Sequence, residues 1–123
     1  MKPAIIIHLK GVSSRLKNKN FKKILNVPLY KITFEKLVNY KSYFDIYIDS
    51  SSNFFKKQAL KYGYNFIQRP EKLNGPNAQG NELLQQCLKS VDNEIIFELL
   101  VTNPFFKVST IKKCIKILEK KKK

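Results

Sequence analysis

The sequence is poor in the residues that build common metal and hydrolase sites. Among its 123 residues are one histidine, two cysteines, two arginines and no tryptophan. A metal cluster built on several histidines, or a serine–histidine triad that needs a second histidine, is therefore excluded. Cys87 and Cys114 fall on apolar faces of predicted helices, so we expect both to be reduced core residues. We expect His8, in an apolar strand, to be a satisfied core residue.

The sequence also lacks a long apolar run. No stretch is long and apolar enough to span a bilayer, and Lys10 interrupts the N-terminal apolar run too early for a signal peptide. Together with the low cysteine content, this predicts a cytoplasmic protein without membrane contact.

Acidic residues are scarce, and the formal net charge is +15. The cations are nearly all lysines, which accompany abundant Asn and Ile, and many lie in the tail Lys120–Lys123 or on outer helix faces. The sequence shows no zinc-site motif of a nucleic-acid-binding module, no aromatic–basic strand and no evident recognition helix. We therefore expect only non-specific attraction to nucleic acid, at low salt.

Strand and helix patterns alternate along the chain. The apolar spacing predicts strands at Ala4–Leu9, Phe44–Ile48, Tyr64–Ile67 and Glu94–Val101. It predicts helices at Val27–Asn39, from Ser51 or Ser52 to Tyr62, at Asn81–Lys89 and at Lys107–Glu119. This alternation predicts an α/β fold, a three-layer sandwich with a mostly parallel sheet, in a single domain over residues 1–123.

The loop after the first strand is the strongest functional signal. Residues Lys10–Asn20 combine Gly, Ser and cations, and backbone N–H groups, hydroxyls and positive charge together suit a polyphosphate. The loop has neither a Gly-Lys-Ser/Thr ending nor a second glycine, which excludes a Walker loop and a Rossmann fingerprint. An ordinary surface connection in a lysine-rich protein is the alternative.

Three further polar loops follow the other predicted strands. They begin at Asp49-Ser50-Ser51, at Arg69-Pro70 and at Thr102-Asn103-Pro104. Because the carboxyl ends of parallel strands share one edge, we expect the four loops to converge there and to bind a nucleotide.

In this order, the motifs resemble those of the cytidylyltransferases that make CMP-sialic acid and related CMP-sugars. A glycine, a serine, an arginine and a Lys-Asn pair of the family's first loop fall on Gly11, Ser13, Arg15 and Lys19-Asn20. Later family motifs fall on Asp49-Ser50, Arg69–Leu73 and Val101–Phe105. The resemblance covers essentially the whole chain and implies a Rossmann-like fold of the nucleotide-diphospho-sugar transferase type.

The resemblance also implies residue roles. Lys10, Ser13, Arg15 and Lys19 would hold the phosphates of CTP, with Arg15 and Lys19 as the catalytic cations. Further substrate-binding residues would be Gly11 in the first loop, Asn20, Arg69, Asn77, Gly80 and Asn81 near the cytidine, and Thr102 and Asn103 facing the sugar. Mg²⁺, with Asp49 as its predicted ligand, would neutralise charge while a sugar hydroxyl attacks the α-phosphorus and pyrophosphate leaves.

The chain departs from the family pattern in places. Lys10 replaces an arginine, Ser14 a lysine and Leu100 a glutamine. The family's later segment, with its acidic metal ligands and dimerisation arm, has no counterpart here, so we expect the N-terminal nucleotide-binding half only. Two hypotheses follow. One is a domain that transfers CMP from CTP to a sialic-acid-like keto-sugar acid; the other is a nucleotide-binding domain without catalysis that acts with a partner chain or as a homodimer.

Overall fold

A four-stranded parallel sheet forms the centre of the computed structural model, which describes residues 2–9, 23–24, 27–70, 85–100 and 106–121. Its strands are β1 (Ala4–His8), β4 (Asp45–Ser50), β5 (Asn65–Gln68) and β6 (Ile96–Leu100), in the spatial order β5–β4–β1–β6. A separate antiparallel pair joins β2 (Lys23–Ile24) to β3 (Val27–Pro28). Because all four strands of the main sheet run the same way, their carboxyl ends share one edge.

Strand β1 lies in the middle of the sheet and is apolar on both faces. Its residues pair in register with β4 and with β6, so that Ile6 lies between Tyr47 and Glu98. Ile5 and Ile7 belong to one buried cluster, while Ala4 and Ile6 belong to a second cluster on the opposite face. A strand buried on both faces explains the continuous apolar run in the sequence.

Three helices contribute to the larger of these two clusters. They are α1 (Leu29–Leu37), which a 3₁₀ turn extends over Val38–Tyr40, α2 (Asn53–Tyr62) and α3 (Val108–Lys121). Their core residues include Phe34, Phe55, Ile111 and Ile115. The smaller cluster holds Cys87, from the helical segment 85–88, and Val91. With helices on both faces of a parallel sheet, the predicted three-layer α/β sandwich is confirmed.

The element boundaries differ from those predicted. Helix α1 begins at Leu29 instead of Val27, because Val27 and Pro28 pair with β2. Strand β4 continues to Ser50, so Asp49 lies within the strand. Ser52 occupies the N-cap position of α2, but its side chain makes no capping hydrogen bond. The left-handed stop predicted at Gly63 is confirmed, with φ at 76°. Residues 81–84 of the helix predicted over Asn81–Lys89 lie outside the described residues.

The prediction that both cysteines are core residues is half right. Both are free thiols; Cys87 is buried, but Cys114 is exposed. Ile111 and Ile115 define the core-facing stripe of α3, and Cys114 lies about 100° around the helix from Ile115, on the solvent side. None of the helices in the described ranges is long and apolar enough to cross a membrane.

Candidate functional site

The carboxyl edge of the sheet carries a cluster of ionisable side chains on the face that also packs against the 85–88 helical segment. Side chains alternate along a strand, so His8 shares the face of Ala4 and Ile6, and Asp49 shares the face of Tyr47. The register places His8 directly beside Asp49. The strands that precede the loops predicted to bind a nucleotide all end at this edge.

Asp49 and Arg69 form a buried ion pair at this edge. Each is 1% exposed. Arg69 donates to Asp49 Oδ2 from one terminal nitrogen at 2.9 Å and from Nε at 3.3 Å, and to the Asp49 carbonyl oxygen at 3.2 Å. The Arg69 backbone N–H also donates to the carbonyl of Ser50 at 2.9 Å. These bonds fix the chain leaving β5 against the end of β4.

His8 connects this pair to a second carboxylate on β6. Its Nδ1 lies 2.7 Å from Asp49 Oδ2, and its Nε2 lies 3.0 Å from Glu98 Oε2. The His8 side chain is 8% exposed, and the Glu98 side chain is 38% exposed. Glu98, His8, Asp49 and Arg69 therefore form a chain of polar contacts that links β6, β1 and β4 to the residue directly after β5. The expectation that His8 is a satisfied core residue is half right: both ring nitrogens have partners, but His8 belongs to neither apolar cluster.

Burial and charge act in opposite directions on Asp49. Burial alone would raise the pKa of this carboxyl, but the hydrogen bonds and positive charges of His8 and Arg69 outweigh it and leave the pKa below its ordinary value. Asp49 is thus held as a carboxylate, with Oδ2 shared between two donors.

Cys87 completes the cluster from the helical side. It is fully buried, and burial together with the negative charge of Asp49 raises the pKa of its thiol to about 12. At neutral pH the thiol keeps its proton, so it is not a nucleophile in this state.

Of the site residues predicted from the sequence, the structure describes Asp49 and Arg69, and it brings these two into contact. The others lie outside the described residues: Lys10, Gly11, Ser13, Arg15, Lys19, Asn20, Asn77, Gly80, Asn81, Thr102 and Asn103. Their roles therefore stay predictions, as does the role of Asp49 as a metal ligand.

The sequence alone does not place His8, Glu98 and Cys87 in one cluster with Asp49. It shows the alternation of side chains within each strand, but it does not show the register between β1 and β6. The polar residues His8 and Glu98, each inside an apolar strand, were the available signal.

The parallel sheet, its strand order and the helices on both faces define an α/β protein of the nucleotide-diphospho-sugar transferase fold. Over 98% of its length the chain superposes on CMP:2-keto-3-deoxy-manno-octonic acid synthetase complexed with CTP, with a TM-score of 0.78 and 16% sequence identity. It also resembles the bifunctional IspDF from Campylobacter jejuni, with a TM-score of 0.67 and 21% identity over 98% of the chain.

The chain belongs to the cytidylyltransferase family, whose model matches residues 4–123. It is also 27% identical over 115 residues to the N-acylneuraminate cytidylyltransferase of Escherichia coli O18:K1:H7 (strain RS218 / NMEC). That match covers 93% of this chain and 27% of the relative. The chain likewise spans 48% of the CMP:2-keto-3-deoxy-manno-octonic acid synthetase chain and 31% of the IspDF chain.

Proposed function

We propose that this chain is the CTP-binding part of a cytidylyltransferase that transfers CMP to a sugar acid. The family match over residues 4–123 is the observation that carries the proposal. The parallel sheet supports it, because ligands of open α/β sheets bind at the carboxyl ends of the strands. CMP:2-keto-3-deoxy-manno-octonic acid synthetase and N-acylneuraminate cytidylyltransferase both favour a keto-sugar acid, such as a sialic-acid-like sugar, as the acceptor.

The proposed reaction is a nucleotidyl transfer. A hydroxyl oxygen of the sugar acid attacks the α-phosphorus of CTP; the new P–O bond forms as the bond to pyrophosphate breaks. The protein's contribution to such a transfer is positioning and electrostatic stabilisation. In this proposal Arg15 and Lys19 stabilise the charge on the phosphates, and the buried ion pair of Arg69 with Asp49 holds in place the end of the sheet on which the nucleotide site lies.

Mg²⁺ accompanies the triphosphate in the proposal, but the surroundings of Asp49 do not fit a hydrated Mg²⁺. Mg²⁺ prefers six oxygen ligands, several of them water. Asp49 is 1% exposed, which leaves no room for several water ligands, and its Oδ2 atom already accepts hydrogen bonds from His8 and Arg69. The proposed transfer therefore takes no step through a metal bound at Asp49.

Calorimetric titration with CTP tests the binding part of the proposal. CTP is expected to bind more tightly than UTP, ATP or GTP. Lys19→Ala removes a charge-assisted hydrogen bond to a phosphate and is expected to weaken CTP binding by roughly 1.5–3 kcal/mol. Lys113→Ala is the matched control, because Lys113 is an exposed lysine of α3. Equal CTP affinity in wild type and Lys19→Ala would contradict the proposed phosphate site.

Pyrophosphate release separates the transferase from the alternative, a nucleotide-binding domain that acts with a partner chain. The assay contains the chain, CTP, Mg²⁺ and an eight- or nine-carbon keto-sugar acid. Release that depends on the sugar acid supports catalysis by this chain. CTP binding without release supports the binding-domain alternative.

A further inference from the structure

Three side chains from three different elements bring metal-binding atoms together beneath the carboxyl edge of the sheet. His8 on β1, Asp49 on β4 and Cys87 on the 85–88 helical segment each offer one ligand atom, and these atoms all lie within 4.8 Å of one another. We propose that His8, Asp49 and Cys87 bind a divalent transition metal of the zinc class. Bonds of about 2.0–2.3 Å to nitrogen, oxygen and sulfur require ligand atoms slightly closer together, so small side-chain shifts complete the site.

Two neighbouring side chains already hold the proposed ligands in place. Glu98 lies 3.0 Å from His8 Nε2, which leaves His8 Nδ1 to face Asp49 and the metal. A carboxylate on the far nitrogen is the usual arrangement for a metal-bound histidine, since it fixes the tautomer and raises the basicity of the ligating nitrogen. Arg69 holds Asp49 through Oδ2.

The second oxygen of Asp49 is available to a ligand. Within the described part of the chain, Asp49 Oδ1 is buried and accepts no hydrogen bond of good geometry, and the Cys87 thiol is close enough to donate to this carboxylate. Buried carboxylate oxygens normally accept hydrogen bonds, because an unsatisfied buried charge is unfavourable. A metal ion bound by Oδ1 would satisfy it.

The donor set selects the metal. One imidazole nitrogen and one sulfur are ligands for zinc and related ions, whereas Mg²⁺ takes oxygen ligands. Zinc bound by three protein ligands keeps a fourth position for water or another ligand. Because Cys87 comes from the helical side and the other two ligands from the sheet, the bound metal would tie these two layers together.

Metal titration of the whole 123-residue chain, freed of any affinity tag and of bound metal by a chelator, tests the proposal. Co²⁺ is expected to bind in a 1:1 ratio with the near-ultraviolet absorption of a thiolate–cobalt bond. Zn²⁺ should displace Co²⁺ and raise the melting temperature, and excess Mg²⁺ should do neither. No nucleotide is present, so the result is independent of the proposed CTP binding.

Matched variants identify the ligands. Cys87→Ser should abolish the thiolate–cobalt absorption, and Cys114→Ser, at the exposed cysteine, should leave it unchanged. Because the Glu98 side chain is partly exposed, the Glu98→Gln variant should fold even if Cys87→Ser does not. Glu98→Gln should lower Zn²⁺ affinity about 10–100-fold, because the carboxylate that orients His8 is lost. Glu119→Gln makes the same charge change on α3 and should have no effect. The proposal is overturned if the wild type shows no thiolate–cobalt absorption, if that absorption depends on Cys114, or if Glu98→Gln and Glu119→Gln bind Zn²⁺ equally well.

Discussion

At the scale of single residues, the core of α1 contains a hydroxyl group without a partner. Thr33 is completely buried, and its Oγ1 makes no hydrogen bond within the described part of the chain. Threonine in a helix often donates to the carbonyl of the residue four positions earlier, but Thr33 does not do so here. Its hydroxyl loses its hydrogen bonds to water on folding and gains no hydrogen bond within the described part of the chain.

We expect Thr33→Val to stabilise the protein by about 1 kcal/mol, because valine keeps the shape of the side chain and removes the unsatisfied hydroxyl. Urea unfolding measures the change. Thr33→Ser is the matched control: it keeps the hydroxyl and loses a buried methyl group, so it should destabilise the protein by about 1 kcal/mol. A clear loss of stability in Thr33→Val would show that the hydroxyl has a partner.

The same scale shows what the sequence could reveal of the candidate site. Asp49 and Arg69 were identified from the resemblance, and the structure places them in contact. The contact of His8 with Glu98 depends on the register between β1 and β6, and the two residues are 90 positions apart in the sequence. A single sequence does not predict the register of strands this far apart. It shows that both residues are polar, but not that they are in contact.

At the scale of elements, the sequence predicts the alternation of strands and helices, but it does not predict all of their first and last residues. Apolar runs and spacing located β1, β4, β5, β6 and the three long helices. The predicted start of α1 was wrong because Val27 and Pro28 form a strand pair with Lys23 and Ile24. The local spacing of apolar residues does not predict this pairing. The end of α2 was right, because Gly63 provides a residue-specific stop.

Gly63 adopts a left-handed conformation, and its N–H donates to the carbonyl of Leu60 at 3.2 Å. An added Cβ would lie 2.9 Å from Nζ of Lys41, which itself donates to the Tyr62 carbonyl. We expect Gly63→Ala to cost about 1–2 kcal/mol of unfolding free energy through backbone strain alone. Gly63→Asn should cost less, because asparagine tolerates this conformation better. Equal stability of wild type and Gly63→Ala in urea unfolding would refute this account.

At the scale of the whole molecule, a net charge of +15 on 123 residues attracts the chain to polyanions such as nucleic acids. The excess charge comes from lysines along the sequence, and many of the lysines in α2 and α3 are exposed. Attraction of this kind arises from counterion release and carries no sequence information.

We expect the chain to bind duplex DNA at about 50 mM salt and to lose most of that affinity by about 200 mM salt. Fluorescence anisotropy with two duplexes of unrelated sequence measures both effects, and the two duplexes should bind equally. A preference for one duplex that persists at the higher salt concentration would instead indicate a specific nucleic-acid function.

The central position of β1 has a consequence for synthesis on the ribosome. One edge of β1 pairs with β4, and His8 and Asp49 are 41 residues apart. The other edge of β1 pairs with β6 and stays unpaired until β6 has been synthesised, since His8 and Glu98 are 90 residues apart. At about 5–20 residues per second, the partner strand follows roughly 5–20 s after β1 is made. During that interval the isoleucines of β1 have an unpaired strand edge beside them, and such an edge favours aggregation of a nascent chain.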